Sequence, residues 1–134
     1  MTGADFVFEY EVPVRFRDID AMGHAHHSLP LVYIEEARAA FWREVTGRSD
    51  LDSIDYVLKK ISVEYHSRIL FPGSVRVGLR VSHVGKTSFA LAYELRNAGG
   101  EIVATAETVQ VMFDYQAGQP KAVPEGIRER FGRM

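Results

Sequence analysis

Along the first stretch of the chain, Phe6, Phe8, Tyr10, Val12, Val14 and Phe16 alternate with Glu9, Glu11, Arg15 and Arg17. That period of two predicts a half-buried strand over Phe6–Phe16. Pro13 has no amide hydrogen to donate, which puts this strand at a sheet edge or interrupts it there. From Leu29 to Thr46 the period becomes helical: Ile34, Ala37, Phe41 and Val45 share a face, and Glu35, Glu36, Arg38, Arg43 and Glu44 take others. Ser28 is the expected N-cap, Pro30 suits the first turn, and Gly47 is a natural stop. Tyr33, Ala39, Ala40 and Trp42 widen the apolar surface beyond a narrow stripe, so the helix is expected to be surrounded on more than one side.

After a loop around Ser49–Asp55, four further strand-like runs cover Tyr56–Tyr65, Ser74–Val84, Ser88–Arg96 and Glu101–Tyr115. Short turns at Pro72-Gly73, Gly85-Lys86-Thr87 and Asn97–Gly100 separate them, which favours an antiparallel meander over crossovers. Val75, Val77, Leu79 and Val81 share one face. In the last run the apolar phase moves from Ile102, Ala104 and Ala106 to Val109, Val111 and Phe113, the mark of a bulge or of two buried faces. A short helix over Pro124–Phe131 closes the chain. An 18-residue helix is about 27 Å long and a ten-residue strand about 33 Å, so one helix can lie along the whole sheet. The order β-α-β-β-β-β predicts an α+β layer, and the open sheet edges lead us to expect a homo-oligomer.

With 134 residues, 46% of them hydrophobic, the expectation is one domain over residues 1–134 with an adequate core. Cysteine is absent, which excludes disulfide frameworks, thiol nucleophiles and thiolate metal sites. Sixteen Lys and Arg stand against 18 Asp and Glu, leaving no basic excess for a nucleic-acid partner. The longest apolar run, Leu29–Ile34, has six residues, far short of a membrane span. The N-terminal stretch lacks a basic leader and a signal-type apolar segment, so a cytoplasmic protein is the default expectation.

Chemistry concentrates between Arg17 and Ser28, where Asp18, Asp20, His24, His26 and His27 crowd the strand-to-helix turn. One reading is a polar loop braced through Asp18 or Asp20. The other is an active-site loop, favoured by its position: amides at a helix N-terminus can hold an oxyanion while a nearby carboxylate attacks or activates water. The same groups could ligate a divalent metal, but no His-x-x-x-His pair is present and the adjacent His26 and His27 point different ways in most backbones, so no metal is expected. No Gly-x-Ser-x-Gly elbow supports a serine nucleophile.

The run Val14-Arg-Phe-Arg-Asp-Ile-Asp-Ala-Met-Gly-His24, followed by Tyr33-Ile-Glu-Glu-Ala-Arg38, resembles the hotdog-fold acyl-CoA thioesterases of the 4-hydroxybenzoyl-CoA thioesterase type. Their pattern of Asp-x-Asp, a Gly three residues on and a helical Glu-x-x-Arg falls on Asp18, Asp20, Gly23, Glu35 and Arg38. The likeness spans nearly the whole chain, and the Gly85-Lys-Thr-Ser88 turn is similar to the family's Gly-x-Ser-Ser region. It implies a five-stranded antiparallel sheet wrapped around one long helix and an enzyme without a cofactor. The implied assembly is a homodimer or dimer of dimers that takes acyl-CoA at sites shared between protomers. By the same resemblance Asp20 is the catalytic nucleophile or general base. The His27 amide polarises the thioester carbonyl, with Gly23 and Ser28 in the oxyanion and substrate-binding loop. Arg68, Lys86, Thr87 and Ser88 are expected to contact coenzyme A, with Arg68 and Lys86 on strand ends distant from the Asp20 loop.

Two positions depart from the family: Pro30 stands where Tyr is usual, and Arg68 where many relatives have Pro. Competing readings are a catalytic Glu35 or Glu36, a hotdog hydratase or dehydratase using His27 and Asp20 without the His-Phe-Pro-Gly segment, a non-catalytic acyl-binding hotdog, and a metal-dependent hydrolase. His66 and His83 are placed in strands and are expected to be structural. The acyl group is not legible.

Overall fold

The computed structural model describes residues 6–48 and 54–134, so most of the predicted Ser49–Asp55 loop lies outside the described residues. Its elements, in chain order, are β1 (Phe8–Pro13), α1 (Leu29–Thr46), β2 (Tyr56–Tyr65), β3 (Ser74–Val84), β4 (Ser88–Asn97), β5 (Ile102–Asp114), β6 (Gln119–Pro120) and α2 (Glu125–Gly132). The long strands run antiparallel in the order β1-β3-β4-β5-β2, and the two-residue β6 adds to β5. β1 pairs only with β3, so Pro13 sits on an edge and its missing donor costs no ladder bond. The chain must then travel from this edge to the opposite one to begin β2, and α1 makes that journey.

α1 runs over the predicted residues and stops where Gly47 takes φ 71°, a left-handed geometry that glycine adopts without a side-chain clash. Phe41 and Trp42 anchor it. Trp42 stacks on Phe89 at 5.4 Å and meets Tyr56 edge-on, while Phe41 packs against Phe8 and, at 6.2 Å, against Phe131 of α2. Val75, Val77, Leu79, Leu91 and Leu95 complete the core beneath the helix. The helix is not enclosed all round: Val32 is 46% exposed and Leu31 and Glu35 are also exposed.

Three sequence expectations need correction. The first strand ends at Pro13, and Phe16, expected on its buried face, lies in a 3-10 turn over Phe16–Asp18 at 79% exposure. Ser28 occupies the N-cap position with helical backbone angles and makes no capping bond, because its hydroxyl is 2.9 Å from His26 Nδ1. In β5 the face under α1 carries Ala104, Thr108, Gln110 and Met112, and the register with β4 runs unbroken from Val111 to Ala104. No bulge shifts the phase of β5 there, and its other face is buried at Val103 and half-buried at Val109, Val111 and Phe113, as the second of the two readings had it. Two polar residues occupy buried positions: Thr108 Oγ1 lies 2.7 Å from the Tyr93 hydroxyl, and Gln110 Nε2 donates to the Phe89 carbonyl at 3.1 Å, while Gln110 Oε1 has no partner among the described residues.

Candidate active site

The loop between β1 and α1 is a small folded unit. The 3-10 turn brings Asp18 inside, 5% exposed, where its Oδ2 accepts the Arg15 amide at 2.9 Å and the Tyr33 hydroxyl at 2.7 Å. The Asp18 carbonyl accepts the His26 amide at 3.0 Å. One residue, through its side chain and its carbonyl, thus ties the loop's entry to its exit and both to α1. Burial, followed by the bond to Asp18, holds the Tyr33 phenol well above its usual range, so it remains a donor.

Between those anchors the chain makes a hairpin. Ile19 and Ala25 face each other in a bridge, and the Asp20 amide donates to the His24 carbonyl at 3.1 Å. Asp20 Oδ1 accepts the Met22 amide at 2.8 Å, an Asx turn that orients the carboxylate. Gly23 closes the turn at φ 85°, a conformation L side chains rarely adopt, which gives a physical reason for a glycine three residues after Asp20. The hairpin is sewn to the segment after β2 by the Ala25 amide, which donates to the Ile69 carbonyl at 2.7 Å, and by a bridge between His24 and Leu70.

The outer oxygen of Asp20, Oδ2, makes no hydrogen bond to a described residue. Asp20 borders a cavity of about 350 Å³ shared with His26, His27, Pro30, Tyr65 and Arg68. Helix N-terminal donors are fewer here than a general rule gives. The Ser28 amide donates to His26 Nδ1 at 3.2 Å, the Leu29 amide to the His26 carbonyl, and Pro30 has none. The His27 amide is the one left without a bond to a described residue. An amide can only donate, so His26 Nδ1 is the acceptor in this contact. The His26 and His27 rings lie 4.0 Å apart, and the Tyr65 hydroxyl donates to the His27 carbonyl, pinning the peptide that leads into α1.

The structure therefore brings Asp20, His27 and Arg68 to one cavity. Gly23 shapes the turn from outside its lining, and the Ser28 amide is consumed within the loop. Arg68 does not lie at a distant strand end: it is beside the Asp20 hairpin in the same chain. Lys86, Thr87 and Ser88 are at the other end of β4, roughly 30 Å away at the rise of an extended strand. That turn is held by the Val123 amide, which donates to the Lys86 carbonyl at 2.9 Å, and by Arg128, which donates to the Gly85 carbonyl at 2.7 Å. Neither Glu35 nor Glu36 borders the cavity: Glu36 is 3.6 Å from Arg15, and Glu35 is exposed. Arg38 forms no ion pair with Glu35. It is buried, with its guanidinium 5.9 Å from the centre of the Tyr56 ring. His66 Nε2 pairs with Thr105 Oγ1 at 3.0 Å. Among the described residues no group of three His, Asp or Glu side chains is placed to hold a metal, and no helix is long and apolar enough to cross a membrane.

Two hydroxyls that hold the loop were not legible in the sequence, where Tyr33 reads as apolar surface and Tyr65 as the end of a strand. Their hydroxyls matter through loop partners 15 and 38 residues away, which no local pattern reports.

A long helix laid on a five-strand antiparallel sheet, with a carboxylate loop at the helix N-terminus, is the hotdog architecture. A family model, the thioesterase-like superfamily, matches residues 14–131, and the chain belongs to that family. Acyl-CoA thioester hydrolase YbgC of Escherichia coli O6:H1 is 23% identical over 128 residues, covering 93% of this chain and 96% of that protein. A thioesterase from Thermus thermophilus, solved with coenzyme A and Zn, is 31% identical with a TM-score of 0.83, covering 94% of this chain and 98% of its own. A predicted thioesterase from Bacillus stearothermophilus, 22% identical, shares the fold at a TM-score of 0.87 over 94% of both chains.

Proposed function

We propose that this protein hydrolyses acyl-CoA thioesters with Asp20 as the catalytic carboxylate and the His27 amide as the oxyanion donor. The observation that carries this reading is the pairing of an unoccupied Asp20 oxygen with an open amide at the start of α1, both at one cavity. Either Asp20 attacks the thioester carbon, forming a mixed anhydride as the C–S bond breaks, and water then cleaves the anhydride; or Asp20 takes a proton from water as that water attacks. In both routes charge builds on the carbonyl oxygen, where a fixed donor is worth the most. The thiolate is a good leaving group, so no strong general acid is required.

The assembly belongs to the same proposal. β1 carries Pro13 at its free edge, whereas β2 offers a ten-residue edge with one irregularity at Leu58–Lys60. Leu58 and Tyr65 on that strand, and Leu31 and Val32 on α1, are exposed apolar groups that a second copy paired along β2 would cover. Antiparallel pairing there brings the partner's Lys86 end toward the Asp20 end, which supports Lys86, Thr87 and Ser88 as coenzyme contacts made across the dimer. A cytoplasmic setting is part of the proposal, and cell fractionation tests it.

Release of thiol from a panel of short, long and aromatic acyl-CoAs is the direct test. Asp20→Asn keeps shape and the Met22 contact but cannot attack or accept a proton, so turnover should drop by about a thousandfold or more. Full activity in Asp20→Asn, or loss only in Asp18→Asn, overturns the assignment. Absence of thiol release from the wild type across the panel favours a hydratase or a non-catalytic acyl-binding hotdog.

A further inference from the structure

We propose that the acyl groups preferred by this site carry a carboxylate a few carbons from the thioester, and that Arg68 selects them. The inference rests on the thioesterase reading and names its substrate class. Arg68 borders the Asp20 cavity and is the only lining residue with a permanent positive charge. Its guanidinium forms no ion pair with a described residue. Arg68 is solvent-exposed, Ala25, Pro30, Ile69 and Val103 give the cavity apolar walls, and the Tyr65 hydroxyl is already committed to the His27 carbonyl.

Length decides what such a cation can meet. A sphere of about 350 Å³ is roughly 9 Å across, within the usual range for small-molecule sites. The diphosphate of coenzyme A is about fourteen bonds from the thioester carbon, or some 16 Å at the reach of an extended chain. With its pantetheine arm extended, a thioester reacting at Asp20 carries its phosphates beyond a cavity of this width, which favours an acyl-side partner for Arg68 over a phosphate. The acyl side of the thioester does fit: about four to six carbons reach roughly 5–7 Å, which stays within the cavity. Methylenes suit the apolar walls, and a terminal carboxylate offers the guanidinium a bidentate, charge-assisted pair. Arg68 also offsets the repulsion that Asp20 imposes on an anionic substrate.

Four thioesters test the proposal: glutaryl and pentanoyl groups of equal chain length, each on coenzyme A and on pantetheine, with released thiol as the readout and non-enzymatic hydrolysis subtracted. The wild type should prefer glutaryl over pentanoyl in kcat/KM on both carriers. Arg68→Met should lower that ratio by about tenfold or more on both, and Arg68→Lys should keep part of it. Unchanged urea midpoints establish that the variants are folded. A ratio unmoved by Arg68→Met, or no glutaryl preference in the wild type, overturns the proposal while pentanoyl hydrolysis sustains the thioesterase reading. A loss shared by both acyl groups and confined to coenzyme A esters assigns Arg68 to phosphate and also overturns it. No thiol from any of the four overturns the thioesterase reading itself.

Discussion

Asp18 and Asp20 are two positions apart and identical in chemistry, yet one faces the protein and the other a cavity. Asp18 is closed in by Arg15, Tyr33 and the loop itself, whereas Asp20 spends one oxygen on an Asx turn and keeps the other open. Asp18 therefore holds the loop in place. Tyr33→Phe removes the donor from a buried carboxylate and should cost about 1–3 kcal/mol in urea unfolding. If the brace also aims Asp20, turnover in Tyr33→Phe should fall in kcat with little change in KM; an unaltered kcat in a destabilised variant would restrict Tyr33 to folding. Gly23→Ala places a Cβ where φ is 85°. No atom within 4 Å obstructs it, so its cost is backbone strain alone, about 1 kcal/mol by thermal or urea unfolding.

At the scale of the element, α1 shows what period alone can and cannot say. The 3.6-residue repeat placed its ends and its buried Phe41, Trp42 and Val45 as the structure has them. Phe41→Ala empties a site filled between Phe8 and Phe131 and should cost about 3–5 kcal/mol, while the exposed Glu44→Ala should be nearly silent. Equal small effects in denaturation would mean the helix is not held against the sheet. β5 misled the same reasoning, because period counting assumes that buried means apolar. Thr108 and Gln110 are buried through partners on β4, Tyr93 and the Phe89 carbonyl, that are distant in sequence.

For the whole molecule, high pH probes the core. Burial first of all raises the phenols of Tyr33, Tyr56 and Tyr93. In the unfolded chain they ionise near pH ~10, so above that pH the unfolded state binds fewer protons than the folded one and stability must fall. The urea midpoint should be flat from about pH 8 to 9 and drop beyond pH ~10, less steeply in Tyr33→Phe. Assembly gives a second test. If the Lys86 turn serves the partner's Asp20 site, Lys86→Ala should raise KM for an acyl-CoA more than for the matched pantetheine thioester, and a size-verified monomer should be inactive. Full turnover in such a monomer sinks the shared site.

The sequence by itself determined the order of the long strands and helices, the extent of α1, the restriction of the Pro13 strand to an edge or an interruption, and the concentration of chemistry between Arg17 and Ser28. These follow from local periods, turn residues and adjacency, each written within a few positions. Tertiary structure alone decided which aspartate is buried, that the Ser28 amide is spent on His26 while the His27 amide stays open, and that Arg68 stands beside Asp20. Each of those outcomes depends on a hydrogen-bond partner or a neighbouring strand end supplied by a remote part of the chain, and only folding brings such groups into range.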